Sequence, residues 1–481
     1  MMPAPGSPKR EMRGVWLATA WGIDWPSRQG TDASCEKMQK AQLKKIVDLC
    51  QELRLTTIFF QVRPMGDAFY ESTSEPWSSY LTGKRGTEPG YDPLEYMIEL
   101  CHERGIECYA WVNPFRWSAG AAWDSERDRK WKREGLLLTH GKYTVFNPGL
   151  EEARQHVVEV CREIVTGYDV DGLVWDDYFY PNKIPEGEGT PDYALYKKEA
   201  PHMSQGDWRR ANVHKTVADV SAMVRDERPG VRFGISPAGV AGKSNTSSDK
   251  WMVDAIDVKA ADWQYNDIYS DPLGWLYQGT IDFISPQIYW SSDHPTAPYV
   301  EIADWWSETA SKHDTHFYSS MTMERIEKGN LRANCREIAR QVEHNRRLCR
   351  DGAPGSVLYS AKFLEKIKPE LSDVFDRPAI VPALGKADGP VAVPLNLCRK
   401  EDTLQWESAT IDERDCERYT VYAFPRGTDV MTEDGIDGRY LVATVYDTRF
   451  VLPETLRQRG MRYAVCTLTG RGHESEPVIV D

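Results

Sequence analysis

Residues 171–181 read DGLVWDDYFYP, a short β-type run that ends in two adjacent carboxylates, Asp176 and Asp177, followed by Tyr178, Phe179, Tyr180 and Pro181. Paired acids at the end of a strand are costly unless they are solvated, hydrogen-bonded or put to use. Two carboxyl groups beside aromatic rings are the minimal equipment for cleaving a glycosidic bond. The bland alternative is an Asp-rich turn, with one acid capping the loop and the other facing water.

Other strand-like runs end in groups suited to a polyhydroxylated ligand. FFQVRPMGDAFYES, running into EPWSSYLTG, brings Arg63, Asp67, Tyr70, Glu71, Glu75 and Trp77 to one rim. YAWVNPFRW offers Asn113, Arg116 and Trp117, and FGISPAGV offers Ser236 beside small residues that let a ligand approach the backbone. FISPQIYW offers Gln287, Tyr289 and Trp290. Amide, guanidinium and phenol groups among indoles are what a sugar needs. Each residue alone is equally well explained as a hydrogen-bonded loop anchor, and the convergence of four loops carries the binding reading. The expected substrate contacts are Arg63, Glu75, Trp77, Asn113, Arg116, Tyr178, Ser236, Gln287, Tyr289 and Trp290, around the catalytic pair Asp176 and Asp177.

The elements that must position these groups alternate. Strand-like runs at Gly14–Ala18, Thr56–Val62, Ile106–Val112, Gly172–Asp176, Val231–Ser236, Phe283–Ile288, Thr315–Met321 and Ser356–Ser360 are separated by helical patterns. The helices fall near 36–53, 93–104, 151–167, 207–228, 298–312, 331–350 and 361–370, with a further piece at 272–278. Pro93 and Pro272 stand where a first helical turn accepts proline, and Gly105, Gly167 and Gly352 where a helix ends. Eight strands alternating with eight helices is the arithmetic of a (β/α)8 barrel, whose working face is the C-terminal ends of its strands. An open doubly wound sheet competes, but no GxGxxG or P-loop follows the first strand.

The expected organisation is a disordered leader over 1–12, a barrel over 13–375, a linker over 376–390 and a β-sandwich over 391–481. Proline and alanine around Val381–Val393 mark the linker, and the two domains are expected to separate near 380–390. Only strand-like runs follow, at regular short spacing, as in a sandwich. Leu-x-Trp, then YTVYAF, then RYAVCTLTGRGHESEP resembles a fibronectin type III module, a structural or docking appendage to which no chemistry is assigned.

A net charge of −14 argues against a nucleic-acid backbone or an anionic membrane as partner. No apolar run reaches the roughly 18 residues of a membrane span. The stretch from Met1 to Arg13 lacks the apolar region of a signal peptide. The expected compartment is the cytoplasm for the chain as it stands, or the periplasm or cell surface if a signal has been trimmed. The ten cysteines show no CxxC and no zinc spacing, so buried thiols are expected, Cys349 among those in helical patterns. Neither a cofactor nor a metal is expected: His313 and His316 bracket Asp314 at the start of strand seven, away from the working face. Seventeen tryptophans, sixteen of them before residue 310, concentrate the aromatic surface in the barrel.

Together RGVWLATAWGIDWPS, FFQVRPMGDAFYES, EPWSSYLTG, WVNPFRW, DGLVWDDYFYP, FGISPAGV and ISPQIYW resemble the glycosyl-hydrolase-like family 10, also known as the domain of unknown function 187. The resemblance covers most of residues 11–370. It implies a (β/α)8 barrel with carbohydrate-cleaving activity, peptidoglycan glycan strands being one substrate class of the family, and members are often exported lipoproteins.

Three uses of two acids stay open: a nucleophile and an acid about 5 Å apart, an acid and a base about 6.5–9.5 Å apart around a water, or substrate assistance by the sugar's own acetamido oxygen. Neighbours on a regular strand point to opposite faces, so Asp176 and Asp177 can both face inward only if the strand ends between them. An aspartate doublet after strand four looks like the arrangement of O-GlcNAcase-type and chitinase-type barrels. By that analogy Asp176 orients the acetamido group, Asp177 protonates the leaving oxygen, and Gln287 and Tyr289 hold the acetamido group. The competing function is a non-catalytic glycan-binding barrel.

Overall fold

The computed structural model describes residues 6–348, 353–387, 389–409 and 417–481. Cys349 and the expected helix end at Gly352 lie outside the described residues.

The sheet runs β1 (Met12–Leu17), β2 (Thr57–Arg63), β3 (Glu107–Val112), β4 (Gly172–Trp175), β5 (Arg232–Ile235), β6 (Phe283–Ile284), β7 in two segments (His316–Phe317 and Ser319–Thr322) and β8 (Gly355–Tyr359). Each strand pairs in parallel with the next, and β1 pairs with β8. The ring closes through β7. Its first segment pairs with β6 and its second with β8. The chain is therefore a (β/α)8 barrel, not an open doubly wound sheet.

All seven residues of β2, TIFFQVR, are buried. Both faces of its sheet are covered, so apolar residues occupy both faces from Ile58 to Phe60, and the polar Gln61 and Arg63 enter at its C-terminal end. Phe59 faces the barrel interior with Trp16, Tyr109, Trp111, Val174, Phe283 and Tyr318, while Ile58, Phe60 and Val62 face the helices. Three interior rings lie against a neighbouring strand's glycine. A Cβ on Gly172, Gly234 or Gly355 would stand 2.4, 2.3 and 2.1 Å from Tyr109, Phe283 and Tyr318, so the barrel fills only because these positions are bare.

The surrounding helices are Ala33–Glu52, Pro93–His102, Glu151–Gly167, Gln205–Glu227, Pro272–Gln278, Tyr299–Ser311, Leu331–Leu348 and Leu364–Val374. Asp32 and Asp92 cap two of them by accepting from Cys35 N and from Leu94 N and Glu95 N. None of the helices is long and apolar enough to cross a membrane among the described residues. Two details differ from the expected pattern. Strand six stops at Ile284, because Pro286 has no N–H to give a ladder. The loop after β3 holds a small antiparallel sheet, Arg116–Ala119, Leu137–His140 and Tyr143–Phe146, whose four-residue strands are too short to show as a periodicity.

The described residues between 395 and 480 form three antiparallel sheets, one of Leu395–Lys400, Thr403–Glu407 and Arg449–Val451, one of Leu441–Val445, Arg418–Pro425, Met461–Leu468 and Val478–Val480, and a short pair of Met431–Thr432 and Gly435–Ile436. Leu404, Trp406, Tyr419, Val421, Tyr463 and Val465 pack together in one cluster. This unit sits under the barrel's N-terminal face. Arg418 reaches Asp171 at 3.3 Å and also pairs with Glu107. Tyr446 Oη donates to Asp171 at 2.7 Å, and Arg232 donates to the carbonyls of Gly470 and Pro382.

Residues 1–5 and 388 lie outside the described residues, and the described parts of the segments expected to be loose are held. Ile380, Val381 and Leu384 are buried. Ile380 bonds backbone to backbone with Lys9 and Glu11. Lys9 and Arg10, expected in a disordered leader, pair with Glu474 and Asp434. The charges of the leader find partners on the C-terminal sheets, which sequence periodicity cannot show.

Candidate active site

The interior register of the barrel decides where the doublet goes. Val174 points inward, Trp175 outward, and β4 stops there. Asp176, two residues after Val174, keeps the inward direction. Trp111 Nε1, from the end of β3, donates to Asp176 Oδ2 at 3.0 Å. Asp177, released from strand geometry, is instead held by the Gln287 amide beyond β6. Both carboxyls are buried, Asp176 against the end of β3 and Asp177 against the segment after β6, and of the two Asp176 lines the pocket at this end of the barrel.

Burial pushes the Asp176 carboxyl up to about 7, helped by the like charge of Asp177 and opposed by Arg116 and the Trp111 N–H. Burial pushes Asp177 up to about 6, against the Gln287 amide and the Arg116 charge. Asp176 Oδ1 has no hydrogen-bond partner. A buried carboxyl with one bonded and one bare oxygen is most stable with its proton on the bare one. Burial thus raises both carboxyls, Asp176 the further of the two.

Asp176 lines a pocket of about 200 Å³ at the C-terminal end of the barrel. Of the expected contacts, Arg116, Tyr178, Ser236, Gln287 and Tyr289 line it too. The Arg116 guanidinium lies 3.5 Å from the centre of the Tyr178 ring, which keeps a cation beside the acids without pairing it to either. Gln287 Nε2 donates to the Ser236 carbonyl at 3.1 Å, and Ser236 Oγ is buried without a partner.

The other expected contacts stand elsewhere. Arg63 and Glu75 form a fully buried two-bond pair at 2.8 and 2.6 Å, and His156 Nε2 meets Glu75 Oε1 at 2.9 Å. Burial pushes the Glu75 carboxyl up, but the Arg63 charge and the His156 contact together outweigh it and hold Glu75 down at about 2. Arg63 also donates to the carbonyls of Asn113 and Pro114, and Asn113 Oδ1 accepts from Arg116 N. Arg63, Glu75 and Asn113 are therefore clamps on the loops after β2 and β3 and do not line the pocket. Their polarity suggested ligand contact; their depth makes them supports. Trp77 packs against the outer core. Trp290 lines a separate space of about 50 Å³ with Arg325 and Gln341.

Sequence reasoning missed Gln61, Trp21, Glu324 and Tyr359 as pocket residues. Gln61 has the inward register of Phe59, which could have found it. Glu324 follows β7 with no pattern around it.

The family is decided by comparison with known proteins. The model of the family described as Glycosyl hydrolase-like 10 matches residues 11–335. The chain belongs to that family. Glycosyl hydrolase YngK of Bacillus subtilis (strain 168) is 38% identical over 389 residues, covering 78% of this chain and 74% of that one. Glycosyl hydrolase DigH of Escherichia coli (strain K12) is 33% identical over 387 residues, covering 74% and 84%. Among solved structures, an alpha-L-fucosidase isoenzyme 2 from Paenibacillus thiaminolyticus overlays with a TM-score of 0.47 at 14% identity, over 76% of this chain and 49% of that chain.

Proposed function

We propose that the protein is a glycoside hydrolase in which Asp176 and Asp177 act together on an N-acetylated glycan chain such as the glycan strand of peptidoglycan. The observation that carries this reading is the bare Oδ1 of Asp176, in a carboxyl pushed up to about 7 and facing an aromatic-walled pocket beside a second carboxyl. An acid poised near neutral pH is what protonation of a leaving oxygen requires. The names of the two relatives agree with glycoside hydrolysis.

In this mechanism Asp176 gives its proton to the glycosidic oxygen as the bond to the anomeric carbon breaks. The acetamido carbonyl oxygen attacks that carbon and closes a five-membered ring. Asp177, ionised above about pH 6, balances the positive charge that develops on the acetamido group. Water then adds to the anomeric carbon and returns a proton to Asp176 as the ring reopens, so configuration is retained. Gln287, which holds Asp177, and Tyr289 flank the place for the acetamido group.

Two measurements test the roles. A thiazoline mimic of the cyclised intermediate should inhibit strongly, because it resembles the transition state more than the substrate does. A dinitrophenyl leaving group needs no proton, so it should rescue Asp176→Asn but not Asp177→Asn. Rescue of Asp177→Asn alone would exchange the two roles. A covalent glycosyl-enzyme trapped by a fluorinated sugar would replace substrate assistance with direct attack by a side chain.

A further inference from the structure

Trp21 stands at the mouth of the pocket with its ring largely in solvent, 6.0 Å from the Tyr80 ring between centroids. Its side chain is 58% exposed and its backbone has φ 53° and ψ 17°. A bulky residue in the left-handed region is a true outlier, and an indole left in water forgoes the gain of burial. The strain is imposed from both sides. Thr19 N and Ala20 N each donate to Gln61 Oε1 at 2.9 Å. Beyond the turn, Asp24 accepts from Ala18 N and from Ser360 Oγ, both at 2.7 Å. Strands β2 and β8 thus hold the loop so that the indole projects outward, and strain over-determined in this way clusters at functional sites.

The surroundings indicate what the ring would meet. Trp21 and Asp176 line the same pocket, with the near-parallel rings of Tyr289 and Tyr359, 5.8 Å apart, and the exposed carboxylate of Glu324. A pyranose has an apolar face that lies flat on an indole, and hydroxyls at its edge that a carboxylate accepts. We propose that Trp21 is a stacking platform for the sugar next to the one held at the aspartate pair, with Glu324 accepting from that sugar's hydroxyls. The substrate is then a chain of sugars and not the glycoside of a single one. This rests on the glycoside hydrolase reading and extends it to a second sugar position.

The test compares kcat/KM on the tetrasaccharide of N-acetylglucosamine with that on the nitrophenyl glycoside of the single sugar. Trp21→Ala should lose about tenfold or more on the tetrasaccharide, chiefly through KM, and several-fold less on the single-sugar glycoside; Trp21→Phe should recover most of the loss. Equal losses on both substrates, or a tetrasaccharide KM within about twofold of wild type, would overturn the proposal. Calorimetric titration of the tetrasaccharide separates it from the hydrolase reading. If the wild type binds without cleaving and Trp21→Ala loses that binding, the platform stands and hydrolysis falls. If the tetrasaccharide is neither bound nor cleaved, both fall.

Discussion

Trp111 donates its indole N–H to Asp176 Oδ2 at 3.0 Å, and that one bond settles which oxygen of the carboxyl is left for a proton. The indole belongs to the barrel's interior aromatic cluster, so the proposed acid is aimed by the packing that fills the barrel. Trp111→Phe keeps the packing and removes the donor. A donor to the charged form holds a carboxyl down, so its loss should raise Asp176 further, by roughly half a unit to one unit. The alkaline limb of the rate profile should move up by that amount while the maximal rate falls. An unmoved limb would show that the bond does not govern the proton.

The pH dependence of kcat/KM in the wild type should be a narrow bell. The proposed mechanism needs Asp177 ionised, which happens above about 6, and Asp176 protonated, which ends above about 7. The two carboxyls interact, so the limbs belong to the pair. The maximum should fall between those values, and a profile flat from pH 5 to 8 would contradict the assignment.

Stability should carry the same signature. Both carboxyls sit above the usual 3.8, so the folded protein holds these protons more tightly than the unfolded chain. That contribution is fully present below about pH 4 and is lost as pH rises through about 6 and then about 7. Asp176→Asn removes the buried ionisation, and near pH 8 it should melt higher than the wild type, by about 2 kcal/mol in stability, with the gap closing towards pH 5. The comparison between variant and wild type isolates this from Asp67 and Asp262, which burial also raises to about 6. A variant less stable than wild type at pH 8 would show that the carboxylate is well compensated.

Arg418 is 1% exposed beneath the barrel, pairing with Glu107 and Asp171. Arg418→Met would take this cation from the buried Glu107 and Asp171, leaving Asp171 its contact with His102 at 3.0 Å, and should cost about 3–5 kcal/mol. The barrel and the C-terminal sheets should therefore unfold in one calorimetric transition, and a chain ending at residue 387 should be unstable. Two separate transitions, or a truncated chain that melts like the full one, would show that the sheets are an appendage.

The barrel was legible because its strands are buried on both faces: runs such as TIFFQV and YAWV need no partner to be recognised. The doublet was legible because Asp176 and Asp177 end such a run. The site was only half legible. Arg63 and Glu75 have the chemistry of ligand contacts but neutralise each other at full burial, and nothing local distinguishes a buried pair from a rim pair. Trp21 and Glu324 come to the pocket from the first and seventh strands, a meeting that only closure of the barrel creates. The Arg418 pair spans 311 residues to Glu107, beyond the reach of any periodicity.

The most direct test of the account is release of new reducing ends from N-acetylated and plain glycan chains by the wild type, Asp176→Asn and Asp177→Asn. The account predicts cleavage of N-acetylated chains by the wild type and losses of about 10²-fold or more in both variants, with secondary structure intact. Glycan binding without any new reducing ends, or either variant within about tenfold of wild type, would contradict the assignment of the aspartate pair as the catalytic centre.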